Sequence, residues 1–271
     1  MLELPPSRSG RPALEIASQV ARAAGSVILS SFSRTDKKTR PKGKSNLVTE
    51  ADYLSEQAIL GELRAEFPSC GFLSEESEAV VSDSPFTWVV DPMDGSNNFS
   101  FGIPFFSVNL ALLHKEEVVL GVTYDPVRDE LFRGLKGQGA FLGEKPLRVS
   151  ARTELKDALV GFDMGYDMER GREMLEAARK LWGAVFSFRI MGSAALVLAY
   201  VASGRLDLYL HRRLYPWDIL PGKLLIEEAG GVVSDWEGKH VLPRTQAIIA
   251  GNPELHRGCL QKVGTTVRSG P

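Results

Sequence analysis

Along residues 12–32 the apolar positions Leu14, Ala17, Val20, Ala21, Ala24, Val27 and Ile28 recur mainly three and four apart, the spacing of one helix face. The same spacing returns through Leu54, Ala58, Ile59, Leu63 and Phe67 and predicts a second helix over 52–67, stopped by Pro68. Between them Arg34, Lys37, Lys38, Arg40, Lys42 and Lys44 surround one Asp, with Pro41 and Gly43 as breakers, so 34–44 is expected to be an exposed, mobile loop. Past residue 70 the texture changes to short apolar and β-branched runs at 71–74, 87–90, 105–113, 118–124, 130–133, 140–142 and 147–149, which predict an antiparallel-looking group of strands. The second half alternates. Helices are predicted at 169–181, 193–202, 218–229 and from 253, with strands at 186–190, 207–210, 232–234 and 247–250. That alternation implies layered packing of helices on sheets. No linker marks the change near residue 150, so 12–150 and 151–271 are read as two subdomains sharing an interface, and 1–11 as a flexible leader.

Composition narrows the class. The 271 residues carry 32 Lys+Arg against 34 Asp+Glu, and a net charge of −2 lacks the field of a dedicated nucleic-acid binder. Two cysteines far apart, Cys70 and Cys259, fit a reducing interior rather than a disulfide scaffold. The longest apolar run, 194–202, falls far short of the ~20 residues that span a bilayer. A soluble cytoplasmic protein is expected, with no membrane partner and no nucleic-acid partner.

The most informative segment is Trp88-Val-Val-Asp91-Pro-Met-Asp94-Gly-Ser96-Asn-Asn-Phe99. A buried strand delivers Asp91 to its carboxyl end, Pro92 fixes a turn, and Asp94 follows three residues on, so both carboxylates can point at one locus. That suits a hard divalent cation, and Gly95 with Ser96 could present amides to a phosphate. Asp-Pro and Asp-Gly are also common turn formers, and the segment alone does not decide between the readings. Glu75 and Glu76 follow another short apolar strand. Asp52 and Asp218 each stand where a helix starts, and there an Asp serves equally as a cap or a ligand. Oxygen donors of this kind select Mg²⁺, Mn²⁺ or Ca²⁺, and the four histidines show no zinc-ligand spacing.

Asp91-Pro-Met-Asp94-Gly-Ser96-Asn-Asn98-Phe99 resembles the first signature of the inositol monophosphatase family, and Trp217-Asp218 with Glu228-Ala-Gly-Gly231 resembles the second. Phe72-Leu-Ser-Glu75-Glu76-Ser77 is similar to the family's Glu-Glu-Ser segment, and Lys44-Ser-Asn-Leu-Val-Thr-Glu-Ala-Asp52 to its early Lys…Val-Thr-x-x-Asp segment. The likeness runs over about residues 12–265. It implies the layered αβαβα sandwich (α+β class) of the inositol monophosphatase and fructose-1,6-bisphosphatase type. The implied activity is Mg²⁺-dependent, Li⁺-sensitive hydrolysis of a phosphate monoester by metal-activated water attacking in line. Two or three Mg²⁺ per site are implied, Mn²⁺ being an alternative. Glu75, Asp91, the Met93 carbonyl, Asp94 and Asp218 would hold them, most from the first subdomain. Gly95 and Ser96 amides would receive the phosphate, and Asp52 with the Ser96 hydroxyl would orient the water, Glu75 assisting. Asp94, Gly192, Ser193, Ala194, His211 and Asp218 would face the substrate, with Lys44 and Glu76 as further candidates. A homodimer is implied, acting on a small phosphorylated polyol or sugar.

Departures from the pattern bear on the substrate. Ser96 replaces the commoner Thr and keeps the hydroxyl; Ser74 replaces a Gly. Pro221 lies in what is predicted to be the first turn of its helix, where a proline is tolerated. His211 stands where inositol-preferring relatives have a Glu, and with Arg212 and Arg213 it could favour a second anionic group or be only a solvated basic turn. Inositol monophosphate or a related sugar phosphate leads. Fructose 1,6-bisphosphate, histidinol phosphate, 3′-phosphoadenosine 5′-phosphate and NADP remain open. A rival of another class is a regulatory protein on the same fold that contacts RNA or the transcription machinery through the basic loop.

Overall fold

The computed structural model describes residues 3–33, 39–43 and 46–264. Helix α1 (Ala13–Phe32) buries Ile16, Val20, Ala24 and Ile28, the stripe its spacing predicts. The segment before it, read as a flexible leader, is tied to the end of the second helix. The Arg8 amide donates to the Glu66 carbonyl at 2.9 Å, and the Ser9 amide and hydroxyl donate to the Glu66 carboxylate at 3.0 and 2.8 Å.

The basic segment is not loop throughout. Strand β1 (Thr39–Gly43) pairs antiparallel with β2 (Asn46–Thr49), Thr39 opposite Thr49 and Arg40 opposite Val48. A ladder is made by backbone groups, so basic side chains do not forbid it, and Pro41 is tolerated because a two-stranded sheet is all edge. The remainder of the segment, including Arg34, Lys37, Lys38 and Lys44, lies outside the described residues.

After α2 (Glu50–Glu66) come β3 (Gly71–Ser74), β4 (Phe86–Asp94), the short α3 (Ser96–Ser100), β5 (Ser107–His114), β6 (Glu117–Asp125), β7 (Glu130–Leu135), β8 (Gly139–Leu142) and β9 (Lys145–Pro146). These strands form a seven-stranded sheet in chain order, β3 parallel to β4 and every later pair antiparallel. The strand expected at 147–149 is absent. The Val149 amide instead donates to the Ala229 carbonyl at 3.2 Å, where the chain crosses to its second half.

That half contains β10 (Leu159–Phe162), α4 (Met168–Leu181), β11 (Ser187–Arg189), α5 (Ala194–Ala202), β12 (Leu208–His211), α6 (Pro216–Glu228), β13 (Val232–Ser234), β14 (Ile248–Gly251) and α7 (Pro253–Val263). Its five-stranded mixed sheet runs β11-β10-β12-β14-β13. Strand β10 escapes sequence reading because it has no alternation: it is buried at Val160, Gly161 and Phe162 alike, and a glycine interrupts it. Pro221 lies five residues inside α6, beyond the first turn, and the helix continues through it.

Helices α1 and α2 cover one face of the large sheet, α5 and α6 fill the space between the sheets, and α4 and α7 cover the far side of the small sheet. The layers are therefore α, β, α, β, α. Separate apolar cores lie under α1 and α2, between the sheets around Leu196, Tyr209 and Leu225, and beneath α4 and α7 around Met174, Leu208 and Leu255. Both cysteines are buried thiols. No helix among the described residues is long and apolar enough to cross a membrane.

Candidate functional site

Four element ends converge on one cavity of about 540 Å³. Strand β3 stops at Ser74 and delivers Glu75, while the adjacent β4 delivers Asp91 to Asp94. The register of β4 against β5 shifts between Asp91 and Asp94, a bulge-like break that turns the second carboxylate toward the same locus as the first. From the other half, Asp218 enters at the start of α6 and the 192–194 segment leads into α5.

Carboxylate oxygens of Asp91, Asp94 and Asp218 lie within 4.8 Å of one another. Asp91 is wholly buried. Burial first, then repulsion from Glu75, Asp94 and Asp218, holds its carboxyl far above the ordinary range. Asp94 is pushed up to about 6, chiefly by burial, although the Ser193 hydroxyl and Ala195 amide oppose the rise. Those two groups donate to Asp94 Oδ2 at 2.6 and 2.8 Å, which ties the start of α5 to the end of β4. A set of crowded, hard oxygen donors that resists carrying its own charge fits a hard divalent cation, whose positive charge removes the cause of the resistance.

Beside this cluster, the Ser96 hydroxyl lies 2.6 Å from Asp52 Oδ1 and 2.9 Å from the Met93 carbonyl. Asp52 is the third residue of α2. Its Oδ2 receives the Thr49 amide at 2.7 Å and the Thr49 hydroxyl at 2.5 Å, so the carboxylate is both a cap and a member of the site. Burial raises it to about 6 against the lowering effect of the Ser96 and Thr49 bonds, with Glu76 adding a smaller upward push. Asp218 repeats the arrangement, its Oδ2 receiving the Tyr215 amide at 2.8 Å. Gly95 makes the turn into α3 possible. Its φ is +97°, and a Cβ there would stand 2.9 Å from the Phe105 carbonyl.

The sequence of this chain matches the profile of the inositol monophosphatase family over residues 10–268. It is 40% identical over 254 residues to an inositol-1-monophosphatase of Mesorhizobium japonicum, covering 92% of this chain and 95% of the relative. The chain belongs to the inositol monophosphatase family. It is also 38% identical to the Nus factor SuhB of Pasteurella multocida, over 93% of this chain and 96% of that one. The crystal structure of the extragenic suppressor protein suhB from Bartonella henselae superimposes with a TM-score of 0.90 at 37% identity, covering 93% of this chain and 98% of that chain. The inositol monophosphatase fold is thus the fold of this chain, and the acidic cluster is in keeping with a metal-dependent family.

The cavity brings together Glu75, Met93, Asp94, Gly95, Ser96, Gly192, Ser193, Ala194, His211 and Asp218, while Asp91 and Asp52 stand behind its wall. Lys44 lies outside the described residues. Glu76 is near enough to Asp52 to act on its charge. His211 lines the cavity and does not stand in a solvated turn. It is only 3% exposed, Nδ1 accepts the Arg213 amide at 3.0 Å, and burial lowers its imidazole to about 4, so it is a neutral wall residue at pH 7. The neighbouring cations are engaged too. Arg212 stacks 3.5 Å over the Trp236 ring, and Arg213 pairs with Asp167 at 2.5 Å.

Sequence reading missed Asp163, Tyr166 and Tyr215, all of which line the same cavity. Asp163 receives the Gly192 amide at 3.0 Å and the Tyr209 hydroxyl at 3.2 Å. The missed signal was an acidic residue at the carboxyl end of a strand, the pattern that exposed Asp91. It was hidden because β10 itself was not recognised. Tyr166 is half-exposed, with its phenol toward the acids: its partial burial and the charges of Asp94, Glu75 and Asp218 hold the phenol above the ordinary range, hence protonated at pH 7.

Proposed function

We propose that this chain is a divalent-cation-dependent phosphate monoesterase acting on inositol monophosphate or a related sugar phosphate. The observation that carries the reading is the convergence of Asp91, Asp94 and Asp218 within 4.8 Å, beside a Ser96 hydroxyl bonded to Asp52. Glu75, Asp91, the Met93 carbonyl, Asp94 and Asp218 would hold the cations, with Mg²⁺ the leading candidate. When bound there, such cations would supply countercharge to the phosphate and polarise the ester for attack. The chain's own groups do the positioning. Ser96 donates to Asp52, which leaves its lone pairs to accept a hydrogen bond from water, and Asp52 is the final acceptor of the proton. Amides of Gly95 and Ser96 face the phosphate, and the 192–194 turn faces the departing alcohol. A homodimer is part of the same reading. Phe101, Ile103, Trp182 and Phe186, each 49% exposed or more, supply apolar surface for a second copy.

Phosphate release from myo-inositol 1-phosphate and other monoesters, with Mg²⁺ and with a chelator, tests the proposal. Cation-dependent turnover is expected; the absence of turnover on every ester would defeat it. The relatives named Nus factor SuhB favour a second reading, a transcription-associated role on this fold. Binding to transcription components that persists undiminished in Asp94→Asn would show such a role to be separate from the acidic site.

A further inference from the structure

On the leaving-group side of the cavity exposed rings stand beside charged groups that are already engaged with protein partners. Residues 164–166 form a short strap clamped at both ends by carboxylates. Asp163 accepts from the Gly192 amide and the Tyr209 hydroxyl. Asp167 caps α4 through the Glu169 and Arg170 amides at 3.0 and 3.1 Å, and takes Arg213 as its ion partner. Between the clamps Gly165 adopts φ +65°, and a Cβ there would come within 3.1 Å of His211 Cε1, so the strap lies directly on the His211 wall. This places Tyr166 at the cavity mouth, 54% exposed, together with Met164, Ile190 and Tyr215 at 39%, 56% and 44%. The Tyr215 ring is already braced, stacked on Trp217 at 5.1 Å and 13°.

The basic groups lining this mouth are His211, buried and neutral, and Arg213, neutralised by Asp167. Among the described residues a second phosphate would meet no uncommitted cation there. An aromatic ring would meet exposed ring and thioether faces in a space of about 540 Å³, within the ordinary range for small-molecule sites. Stacking of a base on an aromatic side chain is the favourable use of such a surface.

We infer that the leaving-group subsite takes a planar heteroaromatic ring, so that the chain prefers nucleoside monophosphates over polyol phosphates and bisphosphates, with Tyr166 as the specificity-determining residue. The inference rests on the phosphatase reading for its chemistry but not for its binding surface.

The test compares kcat/KM for adenosine 3′-monophosphate, myo-inositol 1-phosphate and fructose 1,6-bisphosphate in the parent, Tyr166→Ala and Tyr166→Phe. The adenosine ester should be preferred by the parent. In Tyr166→Ala the adenosine-to-inositol ratio of kcat/KM should fall about tenfold, through KM, because the base no longer has a ring to stack on. Tyr166→Phe should keep the parent's ratio. Because a ratio cancels any loss of folded protein, an unchanged ratio in Tyr166→Ala, or a parent preferring the inositol ester or the bisphosphate, overturns the inference while leaving the phosphatase reading intact. If no ester is hydrolysed, calorimetric titration with adenosine 3′-monophosphate decides. Binding weakened about tenfold by Tyr166→Ala supports the subsite although the phosphatase reading has failed, whereas no binding to the parent overturns the subsite as well.

Discussion

Asp94→Asn should make the cation-free protein more stable at neutral pH while abolishing its activity. Asp94 Oδ2 accepts the Ser193 hydroxyl and the Ala195 amide, and an amide oxygen in the same place keeps both bonds. What changes is the charge. Raising the carboxyl from its ordinary 3.8 to about 6 disfavours the ionised form in the fold by at most about 3 kcal/mol. The side chain is only partly buried, so screening by solvent lowers the expected gain to about 1–3 kcal/mol. The sign follows from linkage. A folded pKa above the unfolded one gives stability that is present below 3.8 and lost as pH rises through about 6. The parent therefore carries the penalty at pH 7.5 but not at pH 4, and the variant never carries it. In a chelator at pH 7.5 the variant should melt higher by about 2–8 °C, and the difference should shrink toward zero by about pH 4. Excess Mg²⁺ should reverse the order, since ligation stabilises the parent by mass action and the variant has lost a donor. Scanning calorimetry at both pH values, with chelator and with Mg²⁺, reads all three effects. A variant less stable than the parent in chelator at pH 7.5, a difference that persists at pH 4, or an equal Mg²⁺ shift in both proteins would refute the charge argument.

Ser96→Ala should lower kcat by about 10²–10⁴ in steady-state assays, and Ser96→Thr should restore most of it, because the hydroxyl rather than the residue size relays the proton to Asp52. Gly95→Ala puts a Cβ 2.9 Å from the Phe105 carbonyl at φ +97° and should cost about 1–3 kcal/mol in urea titrations, with activity lost alongside. His211, depressed to about 4 and buried, gives stability that is complete above pH 6.5 and falls by about 3 kcal/mol as pH drops through 4. The variant His211→Asn keeps an acceptor for the Arg213 amide and should flatten that share of the stability–pH curve in chemical denaturation.

The parts legible in sequence were those whose chemistry repeats along a short segment. Asp91 and Asp94 share a strand end and a turn, and their convergence follows from spacing. Helix α1 was legible from its stripe. Features set by contacts distant in sequence were not. Residues 147–149 look like a strand, but Val149 spends its amide on Ala229. The His211 stretch looks basic, yet its arginines are paired with Glu173 and Asp167, and Arg212 also stacks on Trp236, all from other elements. Strand β10 lacked alternation, and with it went Asp163, the anchor of the turn that leads to Ser193.

The two site acids that sequence left ambiguous explain why fold and site are inseparable in this chain. Asp52 and Asp218 each occupy the third position of a helix, and in each case Oδ2 receives the amide of the residue before the helix, from Thr49 at 2.7 Å and Tyr215 at 2.8 Å. Negative charge in a first turn is favoured by the helix dipole, so the fold itself has a use for both carboxylates. The bond also fixes where each acid points. Asp52 thereby offers Oδ1 to Ser96, and Asp218 stands in the cluster with Asp91 and Asp94. A cap at these positions therefore leaves the carboxylate in place to serve as a ligand as well. Holding an acid by one oxygen against a helix start places it before any cation arrives, so the repulsion within the cluster is borne by the folded chain and released on ligation. An acid placed only by its cation would require the site to form on binding.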